Sequence, residues 1–255
     1  MIKETVRLEI EERLARVEEE HDVRIRYAVE SGSRAWGFAS PNSDYDVRFV
    51  YAHKPEWYLS VFPQRDVIEY PIVDDIDLSG WDLRKALQLF YKSNPSLVEW
   101  LQSPMVYRDD KHFAQALRKL LKDSYSSPSG WHHYRSMAKT NYRGYLQADV
   151  VPLKKYFYVL RPLLAMRWIE TNRTAPPIEF SALLTLLTDQ PRILAEIVAL
   201  VEQKKAALEK QRIPRNETLN SFIEAELARE ATLASKRMDQ FLLDDLLKET
   251  LKDVG

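Results

Sequence analysis

The sequence predicts an α+β protein whose first part, residues 1–110, mixes strands and helices and whose second part, residues 111–255, is all helical. Three observations predict it. Short apolar runs with period two recur up to about residue 110, bounded by turn residues. Helical spacing of three and four takes over after residue 111 and holds to the C-terminus. A chain of 255 residues, 45% of them hydrophobic, is long enough to bury one large core or two modest ones.

The elements follow in order. Val6, Ile10, Leu14 and Val17 recur at spacings of three and four, so residues 2–20 read as a helix. In VRIRYAVE (23–30), Val23, Ile25, Tyr27 and Val29 alternate with Arg24, Arg26, Ala28 and Glu30, which is a strand with one buried face. YDVRFVYA (45–52) is another strand. Pro55 and Pro63 make 53–65 a loop with one helical turn. DVIEYPIV (66–73) and DIDLS (75–79) are strands joined by a tight turn at Asp74-Asp75. Ser79-Gly80-Trp81-Asp82 has capping-box spacing and opens a helix with Leu83, Leu87, Phe90 and Tyr91 on its apolar face. Asn94-Pro95 ends it, Ser96-Leu97-Val98-Glu99 is a second capping box, and PMVYR (104–108) is a last short strand. The helical part is interrupted at Ser126–Gly130, Ala175–Pro177, Pro191 and Pro214. Its charged, amphipathic end (192–251) is expected to pack on the helical core.

Composition excludes several classes. A formal net charge of −1 argues against a protein that coats polyanions along its whole surface. The absence of cysteine removes thiolate zinc sites, disulfides and thiol nucleophiles. The Glu-rich N-terminus has no signal-peptide core, and no run of eighteen apolar residues occurs, so the expectation is a soluble cytoplasmic protein that spans no membrane.

Chemistry concentrates in SGSRAWGFASPNSDYDVRFVY (31–51). Side chains two apart on a strand share a face, which puts Asp44 and Asp46 together with Cα atoms roughly 6.5–7 Å apart. Carboxylates so placed can hold two divalent ions about 3.5–4 Å apart for phosphoryl transfer. Oxygen-only ligands suit Mg²⁺, with Mn²⁺ as the alternative. Ahead of them, Gly32 lets the backbone approach a phosphate, the amides of a helix start and the Ser33 hydroxyl can hold it, and Arg34 adds a charge-assisted contact. Asp-x-Asp alone is most often a turn or cap, and Gly-Ser alone is weaker still; the order strand, Gly-Ser turn, short helix, Asp-x-Asp strand is what makes the combination specific.

Gly32-Ser33 followed after ten residues by Asp44-Tyr45-Asp46-Val47 resembles the signature of the DNA-polymerase-β-like nucleotidyltransferase superfamily. Together with GWDLRKAL, NPSLVEWLQSPMVY and LKKYFYVLRPLLAMRWIE, it is similar to the YcgL-like or RlaP predicted nucleotidyltransferases, whose genes accompany bacterial RNA repair. The likeness runs from about residue 20 to 187. One departure is Ser31, where the superfamily favours an apolar residue. The resemblance implies a nucleotidyltransferase domain with a mixed sheet flanked by helices, then an all-α domain. It implies an NTP substrate, ATP first, and a third carboxylate beside the pair, as metal ligand or activator of the acceptor hydroxyl. Glu69, Asp75 and Asp77 are the possibilities; the position within IDLSGWDL favours Asp77, whereas Asp82 is better read as the capping acid.

Residues 132–173 hold eight Lys or Arg against two acids, interleaved with Tyr134, Tyr142, Tyr145, Tyr156 and Trp168. Arg135, Lys139 and Arg143 line one helix face, and Lys154, Tyr158 and Arg161 line the next. Such a surface suits a triphosphate or single-stranded nucleic acid, although for most of these positions taken singly a solvated face over an aromatic core is the better explanation. By resemblance Lys139, Lys154 or Lys155 contacts the triphosphate, with Lys85 a further possibility. His132-His133 is no metal pair, because adjacent helical residues diverge by about 100°. The expected reaction is NMP transfer from an NTP to a hydroxyl, on RNA first and on a protein or small molecule otherwise, with two Mg²⁺ on Asp44, Asp46 and Asp77. A non-catalytic nucleotide- or RNA-binding module and a phosphohydrolase are the rivals, and the oligomeric state is left open.

Overall fold

The computed structural model describes residues 2–206, 208, 210–236 and 238–253. Packing divides the chain into two units. One comprises Met1–Ala35, Asp44–Ser124 and Arg237–Gly255; the other comprises Trp36–Ser43 and Tyr125–Lys236. Against the expected break near residue 110, the helix after the last strand of the sheet stays with the first unit, and two segments change sides.

The first unit starts with α1 (Glu4–His21), β1 (Arg24–Glu30), α2 (Gly32–Trp36, ending at the unit boundary) and β2 (Tyr45–Ala52). A 3-10 turn at Pro55–Leu59 leads to β3 (Val67–Glu69) and β4 (Ile76–Asp82), then α3 (Leu83–Tyr91), α4 (Pro95–Gln102), β5 (Val106–Asp109) and α5 (His112–Ser124). The five strands form one mixed sheet in the order β3-β4-β2-β1-β5, with β2 and β4 parallel and the other neighbours antiparallel. One face packs Val47, Phe49, Ile76 and Leu78 against Ile10, Leu14 and Val17 of α1. The other packs Tyr27, Val29 and Val50 against α3, α4 and α5. The sheet is covered on both sides, as a buried mixed sheet requires.

Three local expectations are corrected. The single buried face of β1 does not survive a bulge between Ile25 and Tyr27. It turns Ile25 and Ala28 toward α1 and Tyr27 and Val29 toward the opposite core, because an extra residue in one strand reverses the alternation. The two capping boxes are not the caps used. β4 continues through Ser79 to Asp82, and Asp82 itself caps α3 by accepting from the Arg84 amide at 2.8 Å. Asn94 caps α4 with Pro95 as its first residue.

The second unit contains α6 (Ser127–Tyr145), β6 (Val150–Pro152), α7 (Leu153–Asn172), α8 (Phe180–Leu184), α9 (Pro191–Ala206), β7 (Arg212–Pro214) and α10 (Glu217–Leu227). α6 and α7 pack along each other, and Pro162 sits inside α7 without ending it. β6 and β7 pair antiparallel, so this part is not wholly helical. Residues 36–43 belong here because Phe38 stacks on Phe157 at 4.5 Å and Ser40 accepts from the buried Lys204 ammonium at 2.6 Å. The C-terminal expectation divides. α9 and α10 pack in this unit, whereas α11 (Phe241–Leu251) buries Leu243 and Leu246 in the core of the first. No helix among the described residues is long and apolar enough to cross a membrane.

Candidate active site

Alternation along β2 places Asp46 and Arg48 on the sheet face opposite α1, since Val47 and Phe49 point into the α1 core. The parallel pairing of β2 with β4 sets Asp46 in register with Asp77 and Arg48 with Ser79. Two carboxylates thirty-one positions apart in the chain thereby become neighbours. Arg48 Nη2 joins them, 3.0 Å from Asp46 Oδ1 and 2.6 Å from Asp77 Oδ2. Asp44 lies one residue ahead of β2, half-buried, and its carbonyl accepts from Arg34 Nε at 3.3 Å.

Gly32 opens α2 with φ +58°, and a Cβ there would fall 2.0 Å from Asp46 Oδ2. Only glycine lets the turn and the carboxylate approach so closely. The Ser31 amide donates to the Asp46 carbonyl at 2.8 Å, tying turn to strand. Gly32 and Ser33 are the first residues of the helix, so their amides precede any carbonyl of that helix that could accept from them. The Arg34 guanidinium lies 3.9 Å over the Tyr45 ring and 3.8 Å from Glu30 Oε1.

Glu30 ends β1 and is fully buried. Its Oε1 accepts from the Asp46 amide at 3.1 Å and its Oε2 from the Tyr107 hydroxyl at 2.5 Å. Burial pushes its pKa up to about 7 against those hydrogen bonds. Burial also raises the Tyr107 pKa, and the Glu30 carboxylate adds to the rise.

The other acids considered for the third position lie elsewhere. Asp75 is exposed in the Asp74-Asp75 turn, where both residues have positive φ. Glu69 is exposed on β3, opposite Ser79, and pairs with Arg65 at 3.0 Å. Of the lysines, Lys85 binds Asp66 at 2.9 Å and follows the far end of β4, which separates it from Asp77 by roughly 17 Å of strand. Lys139, Lys154 and Lys155 belong to the second unit. Lys139 is exposed on α6, Lys154 is half-buried at the start of α7, and Lys155 Nζ sits 3.7 Å from the Tyr145 ring centre and 4.8 Å from that of Tyr158. Arg161 does not share their face; it is buried, donates to the Ile178 carbonyl at 3.2 Å and lies 4.8 Å from the Trp36 ring.

Sequence reasoning missed Arg48 and Glu30. Arg48 was within reach, because period two puts it on the face of Asp46. Glu30 carried no signal, since a glutamate ending a strand reads as solvent-facing.

Among the described residues no three Asp, Glu or His side chains converge at metal-ligand spacing. The donor chemistry nevertheless fits a hard divalent ion. Asp46 and Asp77 offer only oxygen, are partly exposed, and already share one cationic group between them.

Residues 6–249 match the family described as RlaP, RNA repair pathway DNA polymerase beta family. The chain is 46% identical over 246 residues to a Bacillus subtilis (strain 168) protein named as the uncharacterized protein YcgL, covering 94% of this chain and 95% of that one. A nucleotidyltransferase-like protein of known crystal structure from Exiguobacterium sibiricum 255-15 aligns over 96% of this chain and 77% of its own, with 15% identity and a TM-score of 0.31.

Proposed function

Because the chain belongs to the RNA repair pathway DNA polymerase beta family, we propose that it transfers a nucleoside monophosphate from an NTP, ATP first, to a hydroxyl on RNA. The observation that carries this reading is the register of Asp46 with Asp77, together with the close approach of Gly32 to the Asp46 carboxylate. Carboxylates, a close backbone approach and a first helical turn are thereby brought to one end of the sheet.

In this reading Asp44, Asp46 and Asp77 would hold two Mg²⁺, which would supply charge neutralisation at the α-phosphate and the departing pyrophosphate. Gly32 and Ser33 offer amides and a hydroxyl to the phosphates, and Arg34 adds a cation. Asp77 takes the proton of the acceptor hydroxyl as its oxygen bonds to the α-phosphorus and the bond to the β-phosphate oxygen breaks. Rate enhancement rests on positioning and preorganised charge. RNA as acceptor is supported by the family description and by Tyr145 and Tyr158 of the second unit, both exposed beside Lys155. Rings stack bases, while cations such as Lys139, Lys154 and Lys155 hold a backbone.

The test is transfer of label from α-³²P-NTPs to RNA, with calorimetric titration of each NTP with and without Mg²⁺. Label should enter RNA, and Asp46→Asn should lower the rate about a thousandfold or more. Nucleotide binding with no labelled product on any RNA overturns the RNA acceptor. Near-normal transfer by the Asp44→Asn/Asp46→Asn double variant overturns the site.

A further inference from the structure

Arg48 has no place in the reaction described above, yet it occupies the meeting point of two of its carboxylates. Besides Asp46 and Asp77 on Nη2, its Nη1 donates to the carbonyls of Val47 at 3.1 Å and Asp77 at 2.9 Å. Its side chain is 19% exposed, against 30% for Asp46 and 28% for Asp77. These four acceptors divide into two kinds. The carboxylates neutralise the guanidinium, while the carbonyls hold it in place without cancelling its charge.

We infer that Arg48 is a built-in competitor for the metal position: it aligns Asp46 and Asp77 in one arrangement and yields its Nη2 contacts only when a divalent ion takes both carboxylates. The inference rests on the nucleotidyltransferase reading of these aspartates. Two carboxylates side by side in a partly desolvated site repel each other, and the shared guanidinium removes that repulsion before any ion arrives. An incoming ion must then displace the Nη2 bonds. The two carbonyls keep the arginine's charge nearby, where it repels the ion. Metal affinity without nucleotide is therefore set below what the two carboxylates alone would provide. A triphosphate reverses the balance by offering the displaced guanidinium a new anionic partner, so metal and nucleotide bind with positive coupling.

The experiment measures Mn²⁺ binding to the full chain without nucleotide, by electron paramagnetic resonance of the free ion. It compares wild type with Arg48→Met, Arg48→Gln, Arg48→Lys and Asp46→Asn, each checked for folding by circular dichroism. Arg48→Met and Arg48→Gln should bind Mn²⁺ about tenfold tighter than wild type, while Arg48→Lys, which keeps the charge, should stay within about threefold. A residue that only supported the fold would not tighten binding when removed. If wild type binds Mn²⁺ through Asp46 and both neutral variants bind no tighter, the competition is overturned and the metal site stands. If no protein shows Asp46-dependent binding, the metal site and the inference fall together. Loss of fold in both neutral variants makes Arg48 a structural clamp and overturns the competition.

Discussion

Glu30 holds the backbone of Asp46. Its fully buried carboxyl accepts from the Asp46 amide and the Tyr107 hydroxyl, and burial pushes its pKa from the usual 4.5 to about 7. The unfolded chain gives up this proton near the ordinary carboxylate value, whereas the folded chain keeps it to about pH 7. Between those values the native state binds more protons, so stability falls as pH rises through the interval and levels off above it. The contribution is fully present below about pH 4.5 and lost above pH 7. Glu30→Gln keeps the acceptor for the Asp46 amide and removes the ionisation. Urea unfolding from pH 5 to 8 in EDTA should therefore show a flatter profile than wild type, and an unchanged slope would count against the buried proton. At this scale Asp44, Asp46, Gly32 and Ser33 were legible in the sequence, since their spacing along the chain is local. Glu30 was not, because its burial comes from residues remote in sequence.

Among the elements, β4 and α3 depart most from their sequence reading. Ser79 and Gly80 were expected to begin a helix, but they pair with β2 on one side and β3 on the other, and ladder hydrogen bonds on both edges hold the strand extended to Asp82. Asp82 then does two jobs: Oδ1 accepts from the Arg84 amide at 2.8 Å and Oδ2 from the Tyr58 hydroxyl at 2.7 Å. Asp82→Ala should cost about 2 kcal/mol, roughly half from the lost cap and half from the acceptor lost to the half-buried Tyr58 hydroxyl. Asp82→Asn should recover most of it. Equilibrium urea denaturation reads both, and an alanine variant within 0.5 kcal/mol of wild type would show that the cap carries little, this threshold being about the scatter of surface substitutions.

For the whole molecule, the decisive feature is how the chain is shared between its units. Residues 36–43 and 125–236 form one, while the C-terminal α11 returns to the sheet-containing unit, where Leu246 is only 5% exposed. Leu246→Ala should cost that unit about 2–4 kcal/mol through lost burial and a cavity. Hydrogen exchange in α3 and α5 should accelerate accordingly, and unchanged protection there would place the core elsewhere. The sequence by itself determined the order and type of most elements, the α+β class, and the Gly-Ser and Asp-x-Asp pair, because turn chemistry and side-chain periodicity act over a few residues. For the third position it offered Glu69, Asp75 and Asp77, with Asp77 favoured by its place in IDLSGWDL. Only the tertiary structure decided that Asp77 stands beside Asp46, that Arg48 lies between them, that the bulge splits β1 between two cores, and that α11 belongs with the sheet. Each of these depends on which strands pair and which surfaces bury one another, free-energy contributions set by residues tens to hundreds of positions apart that no local pattern encodes.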